Sequence, residues 1–256
     1  MKKILIFSIT VLLFAGCVFA QEEKKEDPNK LFYVGNSLYE KRDYSKAVEE
    51  YLKVRDLGLE SGNLYYNLGN SFFKLGKIGY AILNYERAHR MMPQDKDLKA
   101  NLAYAKSLVG TSSFELPSRN PVVSAVKEPF KDFNLNALAV MALFFYLMAI
   151  GIAAFFMVNP FFAKRMWPVL VIFLAVFFIS MAAFAIRYYD EDILKRGIVV
   201  QKEADCKYEP IDKSTLFYKL QEGDAVVILN TRSGWCQIKR LDGKIAWVKK
   251  EAIEEI

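Results

Sequence analysis

The sequence predicts a multidomain membrane protein, in which an α-helical solenoid, a two-helix transmembrane hairpin and a small all-β barrel follow one another along 256 residues. Three observations support this fold class. The N-terminal part repeats itself about every 34 residues, which is typical of stacked helix pairs. Two long stretches without a charged residue lie in the middle, and short alternating apolar runs fill the C-terminal part.

The first 20 residues have the order of an export signal, with Lys2 and Lys3 before an apolar run and small residues after it. Three outcomes are compatible with this order. The signal is cleaved after Ala20, or Cys17 is lipidated within a segment that resembles a bacterial lipoprotein box, or the stretch stays uncleaved as an anchor. An export signal would place the soluble parts outside the cytoplasm.

The two repeats are predicted to span residues 28–61 and 62–95, with a capping helix at 96–108. When the sequence is shifted by one period, small residues match small ones and large residues match large ones. We expect the small residues where paired helices approach most closely, and tyrosines in the gaps between turns. The matched pairs include Gly35 and Gly69, Ala47 and Ala81, and Tyr51 and Tyr85.

This pattern resembles the tetratricopeptide repeat (TPR). The second unit has nearly the whole motif, namely Tyr65, Leu68, Gly69, Phe72, Ala81, Tyr85, Ala88 and Pro93. The first unit departs from it, with Leu31 for an aromatic residue, Val54 for alanine and Leu59 for proline. The resemblance implies a concave groove, lined by the first helix of each unit, that binds peptides or partner helices.

Groove-facing positions of the TPR motif give the candidate peptide-binding residues. They are Tyr33, Asn36, Tyr39, Asn63, Tyr66, Asn67, Asn70 and Asn101, with Phe32 and Phe73 beside them. An asparagine amide can donate to and accept from a peptide backbone at once, and tyrosine adds apolar area. Asn36 and Asn67 match the asparagines of carboxylate-clamp grooves, but the basic partners of that clamp are absent. A peptide groove and a plain solvated surface both remain hypotheses.

Residues 109–134 are predicted to be a linker, because prolines, serines and threonines interrupt any regular pattern there. The charge-free stretches 135–158 and 167–186 are each long enough to cross about 30 Å of hydrocarbon as a helix. A cytoplasmic turn at 159–166 with Lys164 and Arg165 would join them. Two crossings return the chain to its first side, and the absence of Asp, Glu, Lys, Arg and His inside both spans argues against a channel or pump.

Residues 197–256 change to alternating apolar runs separated by turn signals such as Asp242-Gly243, which predicts a small β-barrel or sandwich. The order Leu-x-x-Gly at 220–223, then Gly234-Trp235, then 243–248 resembles a bacterial SH3-like domain, with Ala246 in place of the last glycine. The resemblance implies an aromatic groove for peptides or cell-wall fragments. Its candidates are Tyr208, Tyr218, Trp235 and Trp247, against the alternative that both tryptophans fill a small core.

Cys206 and Cys236 both fall in the C-terminal part. In an oxidising compartment they could form a disulfide, but buried free cysteines are also common in strands. The sequence leaves both alternatives open.

The sequence gives no reason to expect an enzyme, a cofactor or a metal site. His89 is the only histidine, and neither a metal-binding spacing, a phosphate-binding loop nor a Ser/His/Asp set accompanies it. The net charge of +6 forms no dense basic tract, which argues against nucleic-acid binding.

The order of signal, TPR array, membrane hairpin and SH3-like domain resembles the BatE family of bacterial aerotolerance (Bat) operons. The resemblance implies partners among the Bat proteins and a MoxR-type ATPase, in aerotolerance or envelope stress. The first hypothesis is therefore a scaffold for protein–protein interaction in the bacterial inner membrane, with both soluble parts on the periplasmic side. The second is a cell-wall module whose SH3-like domain holds peptidoglycan while the TPR array recruits an unrelated enzyme.

Overall fold

The computed structural model describes residues 27–109, 121–240 and 242–256, and within these ranges every side chain except that of Asp192. The predicted export signal, with its alternatives at Ala20 and Cys17, lies outside the described residues.

Eight α-helices precede a β-sheet in these ranges. They are α1 Pro28–Glu40, α2 Tyr44–Asp56, α3 Gly62–Lys74, α4 Ile78–Met91, α5 Lys96–Val109, α6 Pro121–Lys127, α7 Leu135–Val158 and α8 Pro160–Tyr188. Helices α1 to α5 form the helix stack, in which α1 packs on α2, α3 on α4 and α5 on α4. Helices α1, α3 and α5 begin at Pro28, Gly62 and Lys96, so each starts 34 residues after the one before.

Short polar residues cap the first three helices of the stack, and glycines follow α2 and α3. The side chains of Asp27, Asp43 and Ser61 each accept a hydrogen bond from a backbone N–H in the first turn of α1, α2 and α3. Gly58 and Gly76 follow α2 and α3 with φ of 82° and 73°, a left-handed conformation that glycine adopts without strain.

Glycine and tyrosine define the close contact inside each helix pair. A Cβ added to Gly35 would lie 2.5 Å from the Tyr51 ring, and one added to Gly69 would lie 2.5 Å from the Tyr85 ring. Both tyrosines are 1% exposed. The expectation of small residues at the closest approach, with tyrosines filling the gap, is confirmed at these two positions.

The connector after the stack is more regular than the predicted linker. Within its described part, α6 and a 3-10 turn at Glu128–Phe130 replace the irregular chain that the prolines suggested. Pro121 and Pro129 stand in the first turns of these short helices, where a missing N–H costs no hydrogen bond.

Helices α7 and α8 pack against each other as an apolar hairpin, and both are long and apolar enough to cross a membrane. Many of their side chains point away from the protein, and Met157 is 84% exposed. The structure differs here from the predicted turn at 159–166. Only Asn159 separates the two helices, because Pro160 begins α8, and Lys164 and Arg165 lie in its first turns.

The C-terminal part is one antiparallel sheet of seven strands. They are β1 Arg196–Val199, β2 Glu203–Lys207, β3 Leu216–Gln221, β4 Ala225–Arg232, β5 Trp235–Lys239, β6 Ile245–Lys249 and β7 Ile253–Glu255. Their order is β3-β2-β6-β5-β4-β1-β7, so β3 and β7 are edges. The sheet is therefore open, whereas the sequence led us to expect a small barrel or sandwich.

The sheet packs directly on the helix stack. Ile198, Val200, Ala225 and Val227 belong to the same buried apolar cluster as the stack. At the start of α4 the two backbones almost touch, since a Cβ on Gly79 would lie 2.6 Å from the carbonyl oxygen of Val199. Only glycine permits this approach.

A carboxylate from the sheet caps the first turn of α4. Lys77, the residue at the N-cap, makes no side-chain hydrogen bond to the helix. Instead the Gly79 N–H donates to Oε1 of Glu222, in the turn between β3 and β4, at 2.7 Å. A negative charge at this end of a helix also interacts favourably with the helix dipole. The sheet thus supplies a cap that the local sequence lacks.

The other end of α4 contacts the segments that flank the apolar hairpin. Arg90 donates to the carbonyl oxygens of Glu191 at 3.3 Å and Ile256 at 3.1 Å. Asn134, which caps α7, donates to the carbonyl oxygen of Met91 at 3.2 Å. Helix α4 therefore contacts the sheet, the rest of the stack and the start of the apolar hairpin.

Replacing Glu222 with alanine should destabilise the protein by loosening this junction. A lost helix cap costs about 1 kcal/mol, which corresponds to a fall of roughly 2–4 °C in the midpoint of thermal unfolding. Far-UV circular dichroism of the full-length protein in detergent measures this midpoint. Glu251→Ala is the matched control, because Glu251 is exposed and makes no contact with α4. An equal midpoint for both variants would contradict the capping role.

Candidate functional site

Four predicted groove asparagines bond to each other and to buried tyrosines. We call Asn36, Asn67, Asn70 and Asn101 the asparagine row. Oδ1 of Asn36 accepts from the Tyr51 hydroxyl at 2.8 Å and from Nδ2 of Asn67 at 3.0 Å. One repeat later, Oδ1 of Asn70 accepts from the Tyr85 hydroxyl at 2.7 Å and from Nδ2 of Asn101 at 3.2 Å.

The asparagine row links α1 to α3 and α3 to α5, so it fixes the register of neighbouring repeats. Burial raises the pKa of Tyr51 and of Tyr85 far above the ordinary value of a phenol, so both hydroxyls stay protonated and able to donate. In the described part of the chain, Nδ2 of Asn36 and Oδ1 of Asn67 have no hydrogen-bond partner. These amides therefore form hydrogen bonds within the stack, and only their remaining donor and acceptor atoms could form hydrogen bonds to a peptide.

The other predicted groove residues lie on the same first helices but differ in exposure. Tyr33 is 70% exposed, and Asn63 is exposed at the start of α3. Tyr39 packs edge-on against Tyr44, with ring centroids 5.2 Å apart. The Tyr66 hydroxyl accepts from Nδ2 of Asn101 at 3.0 Å. Among the candidate groove residues, Tyr33 and Asn63 are therefore the least involved in contacts within the stack.

The four aromatic candidates of the sheet do not share one face. Trp247 lies opposite Gln237 on β5, and Trp235 stands two residues earlier on that strand, so both tryptophans project from the same face. Tyr218 lies opposite the buried Cys206 and packs on the apolar cluster of the other face. Tyr208 is 57% exposed and stacks on a neighbouring ring.

Trp235 is largely enclosed, at 7% exposure. The ammonium groups of Lys207 and Lys249 lie 5.8 and 5.9 Å from its ring centroid, within cation–π range. Both lysines contact Asp212 in the loop between β2 and β3, Lys249 through an ion pair of 3.1 Å and Lys207 through the main-chain oxygen. At Trp235 the structure favours a packing role, whereas Trp247 stays partly exposed.

Cys206 and Cys236 are both free and buried, so the disulfide alternative is not formed. The physical reason is the strand order, since β6 lies between β2 and β5. Two strand spacings separate the cysteines by about 9–10 Å, and a disulfide tolerates a Cα separation of at most about 7 Å. Burial raises the pKa of the Cys206 thiol to about 12.

A cleft of about 770 Å³, which sequence reasoning missed, lies where the stack, the sheet and the apolar hairpin meet. Its lining includes Arg55, Glu60, Tyr65, Arg87, Asn134 and Glu254. Burial lowers the pKa of Arg87, whose guanidinium lies 5.6 Å from the Tyr65 ring centroid. Burial and then the Glu60 carboxylate raise the pKa of Tyr65 to about 12. No local pattern could reveal the cleft, because its walls are distant in the sequence.

The described residues contain no group of three or more His, Cys, Asp or Glu side chains that could hold a metal ion. His89 lies partly buried in the last turn of α4, and this burial lowers its pKa. The imidazole therefore stays mostly neutral at pH 7.

Comparison with protein-family models finds no match to this chain, and comparison with curated proteins finds none either. The interpretation of these sites therefore depends on their own geometry.

Replacing Asn36 with alanine should weaken the stack, because it leaves the buried Tyr51 hydroxyl without its acceptor. A buried polar group that loses its partner costs about 1–3 kcal/mol. Asn63→Ala is the matched control, since Asn63 is exposed and its loss should change the free energy of unfolding by less than about 0.5 kcal/mol. Chemical denaturation of the two variants measures the difference. Equal losses would contradict the structural role of the row.

The two cysteines should resist alkylation in the folded protein. With a pKa of about 12, less than roughly one Cys206 side chain in a thousand is a thiolate at pH 8. We expect maleimide to label both peptides only after denaturation, and to do so without any reductant. Peptide mass spectrometry reads out both sites. A requirement for reductant would show that Cys206 and Cys236 pair after all.

Proposed function

We propose that this protein is a non-catalytic, membrane-anchored scaffold whose helix stack binds a partner protein or peptide. One observation supports the proposal above the others. The sheet packs on α4, whereas the candidate groove residues lie on α1, α3 and α5. The packing that joins the two soluble parts therefore leaves these first helices available, with Tyr33 70% exposed.

Anchoring in a membrane is supported by α7 and α8, which are long and apolar enough to span a bilayer. The contact between the stack and the sheet supports an even number of crossings. These parts stand on either side of the hairpin in the chain, yet Gly79 and Glu222 are in hydrogen-bond contact. A chain that crossed the bilayer once could not make this contact. We propose that both parts face the periplasm, on the outer side of the bacterial inner membrane.

The nature of the partner follows from the resemblance to the TPR, SH3-like and BatE patterns. Under this proposal the helix stack is a short TPR array and the sheet is an SH3-like domain. The partners would be membrane-anchored Bat proteins with a von Willebrand factor A-type domain, working with a MoxR-type ATPase. The biological role would be aerotolerance or resistance to envelope stress.

The hydrogen bonds within the asparagine row reduce the number of side chains that are available to a partner. Because Asn36 and Asn70 already accept two hydrogen bonds each, their carbonyl oxygens are less available to a peptide than the exposed side chains of Tyr33 and Asn63. We therefore place the principal partner contacts at Tyr33 and Asn63, and treat the row as the frame that holds the helices at the right spacing.

Cell-wall binding is the second candidate function. The observation in its favour is Trp247, partly exposed on the face of the sheet opposite the buried cysteines, with the exposed Tyr208 next to Lys207, the residue that pairs with Trp247 on β2. Aromatic rings on an accessible sheet face can stack on sugars or peptides.

Double substitution of Tyr33 and Asn63 by alanine should abolish partner capture and leave thermal stability unchanged, since neither residue is buried. The assay is crosslinking of the full-length protein in cells, from a photoreactive residue placed at Ser37 on the same helix as Tyr33, followed by mass spectrometry. The matched control is Tyr208→Ala with Trp247→Ala, which should keep the partner.

Sedimentation with purified cell wall separates the two functions. If the scaffold proposal holds, neither double variant changes the sedimented fraction. Loss of cell-wall binding in the Tyr208/Trp247 variant, with partner capture unaffected by the Tyr33/Asn63 variant, would replace the first function with the second.

A further inference from the structure

The cleft at the junction of the three parts lies at the level of a membrane surface. Asn134 lines it and caps α7, whose charge-free segment begins with the next residue. Glu191 also lines it and follows Ile186, the last residue of the apolar stretch of α8, by five positions. At about 1.5 Å per residue this places Glu191 roughly 7 Å beyond the hydrocarbon, the depth of the polar headgroups.

Several charged groups of the cleft are neutralised by neighbours. Arg55 pairs with Asp56 at 2.8 Å, and Glu255 pairs with Lys195 at 3.6 Å. Glu191 pairs with Arg187. These three lining groups therefore contribute little to the recognition of a charged ligand.

Arg87 differs from them. Its guanidinium lies over the Tyr65 ring and donates to the main-chain oxygen of Glu255, and no carboxylate of the described residues lies within ion-pair distance of it. Partial burial lowers its pKa, since removing a cation from water is costly unless an anion compensates. A planar guanidinium that is partly buried and has no carboxylate within ion-pair distance is well suited to bind a phosphate.

Two carboxylates stand near this guanidinium. Glu60 and Glu254 both line the cleft, and both interact electrostatically with Arg87 without contacting it. Arg90 also lines the cleft, but its guanidinium is engaged by the main-chain oxygens of Glu191 and Ile256. The cleft thus offers the Arg87 cation together with the carboxylates of Glu60 and Glu254, which form no ion pair with the described residues. A ligand with a positive and a negative group at a short separation would satisfy both signs.

We propose that this cleft binds the headgroup of a zwitterionic phospholipid of the ethanolamine class. Arg87 receives the phosphate, and Glu60 with Glu254 receives the ammonium, while the acyl chains remain in the bilayer beside α7. The inference rests on the proposal that α7 and α8 cross a membrane, and is independent of whether the stack binds a partner.

The chemistry separates this headgroup from the common alternatives. A phosphatidylglycerol headgroup carries a negative charge without an ammonium, so Glu60 and Glu254 would repel it. A choline headgroup is zwitterionic, but its quaternary ammonium cannot donate the hydrogen bonds that carboxylates accept. An ethanolamine ammonium has three N–H donors for them.

Lipid binding to the full-length protein in neutral detergent tests the inference. Native mass spectrometry would compare phosphatidylethanolamine, phosphatidylglycerol and phosphatidylcholine with identical acyl chains. We expect the ethanolamine lipid to bind at least about tenfold more tightly than the other two. Arg87→Gln should weaken its binding on the order of tenfold or more, the usual effect of losing a charged hydrogen bond. Arg232→Gln, at an exposed arginine of the sheet outside the cleft, is the control.

Glu254→Gln gives a second test that does not depend on the stability of the Arg87 variant, because Glu254 is exposed at the edge of the sheet. It should reduce the preference for the ethanolamine over the glycerol lipid. Glu251→Gln, also exposed but outside the cleft, should leave the preference unchanged.

Three results would overturn the inference. The first is equal affinity for all three lipids, the second is wild-type lipid binding by both cleft variants, and the third is displacement of the lipid by inorganic phosphate at comparable concentration, which would indicate a soluble anion. Carbonate extraction of cell membranes distinguishes the two levels of failure. If the protein remains in the membrane but shows no lipid preference, only the proposal that the cleft binds an ethanolamine headgroup fails. If it is extracted, the anchoring proposal fails as well.

Discussion

The contact between the first turn of α4 and the sheet determines where the other parts of the protein lie. Gly79 lets the helix backbone approach the Val199 carbonyl, and Glu222 supplies the cap that Lys77 does not provide. The opposite end of α4 contacts the start of α7 through Asn134. One helix therefore contacts the sheet at its first turn and the start of the apolar hairpin at its last turn.

Inside the stack, one arrangement is used twice. A tyrosine of the second helix packs its ring on a glycine of the first helix and donates its hydroxyl to the next residue, an asparagine. The asparagine then accepts from the following repeat, so the same side chain closes a helix pair and joins two pairs. The structural role of these asparagine side chains explains why asparagine recurs on these helices even if no ligand binds there. Tyr33 and Asn63 take no part in these hydrogen bonds.

The cleft beside the start of α7 is formed by residues that are distant in the sequence, and no local motif encodes it. Arg87 comes from a repeat helix, Glu60 from the turn between two repeats and Glu254 from the last strand. Each would be a solvated charge if its element were isolated. Together, beside the capped end of α7, they form a cleft with both signs of charge in which Arg87 is partly buried, and electrostatic interactions of a partly buried group are stronger than in bulk water.

The sequence by itself determined the features that depend on neighbouring residues or on a short period. These are the helix pairs with their glycine–tyrosine contacts, the two apolar helices with α7 at its predicted bounds, and the short strands of the C-terminal part. It did not determine the open sheet, the near absence of a turn before Pro160 or the free thiols of Cys206 and Cys236. Nor did it reveal the cleft or the cap that Glu222 provides. These features depend on the order of the strands and on contacts between segments that are distant in the sequence. Such contacts, for example between Gly79 and Glu222, form only in the folded chain, so no local pattern in the sequence predicts them.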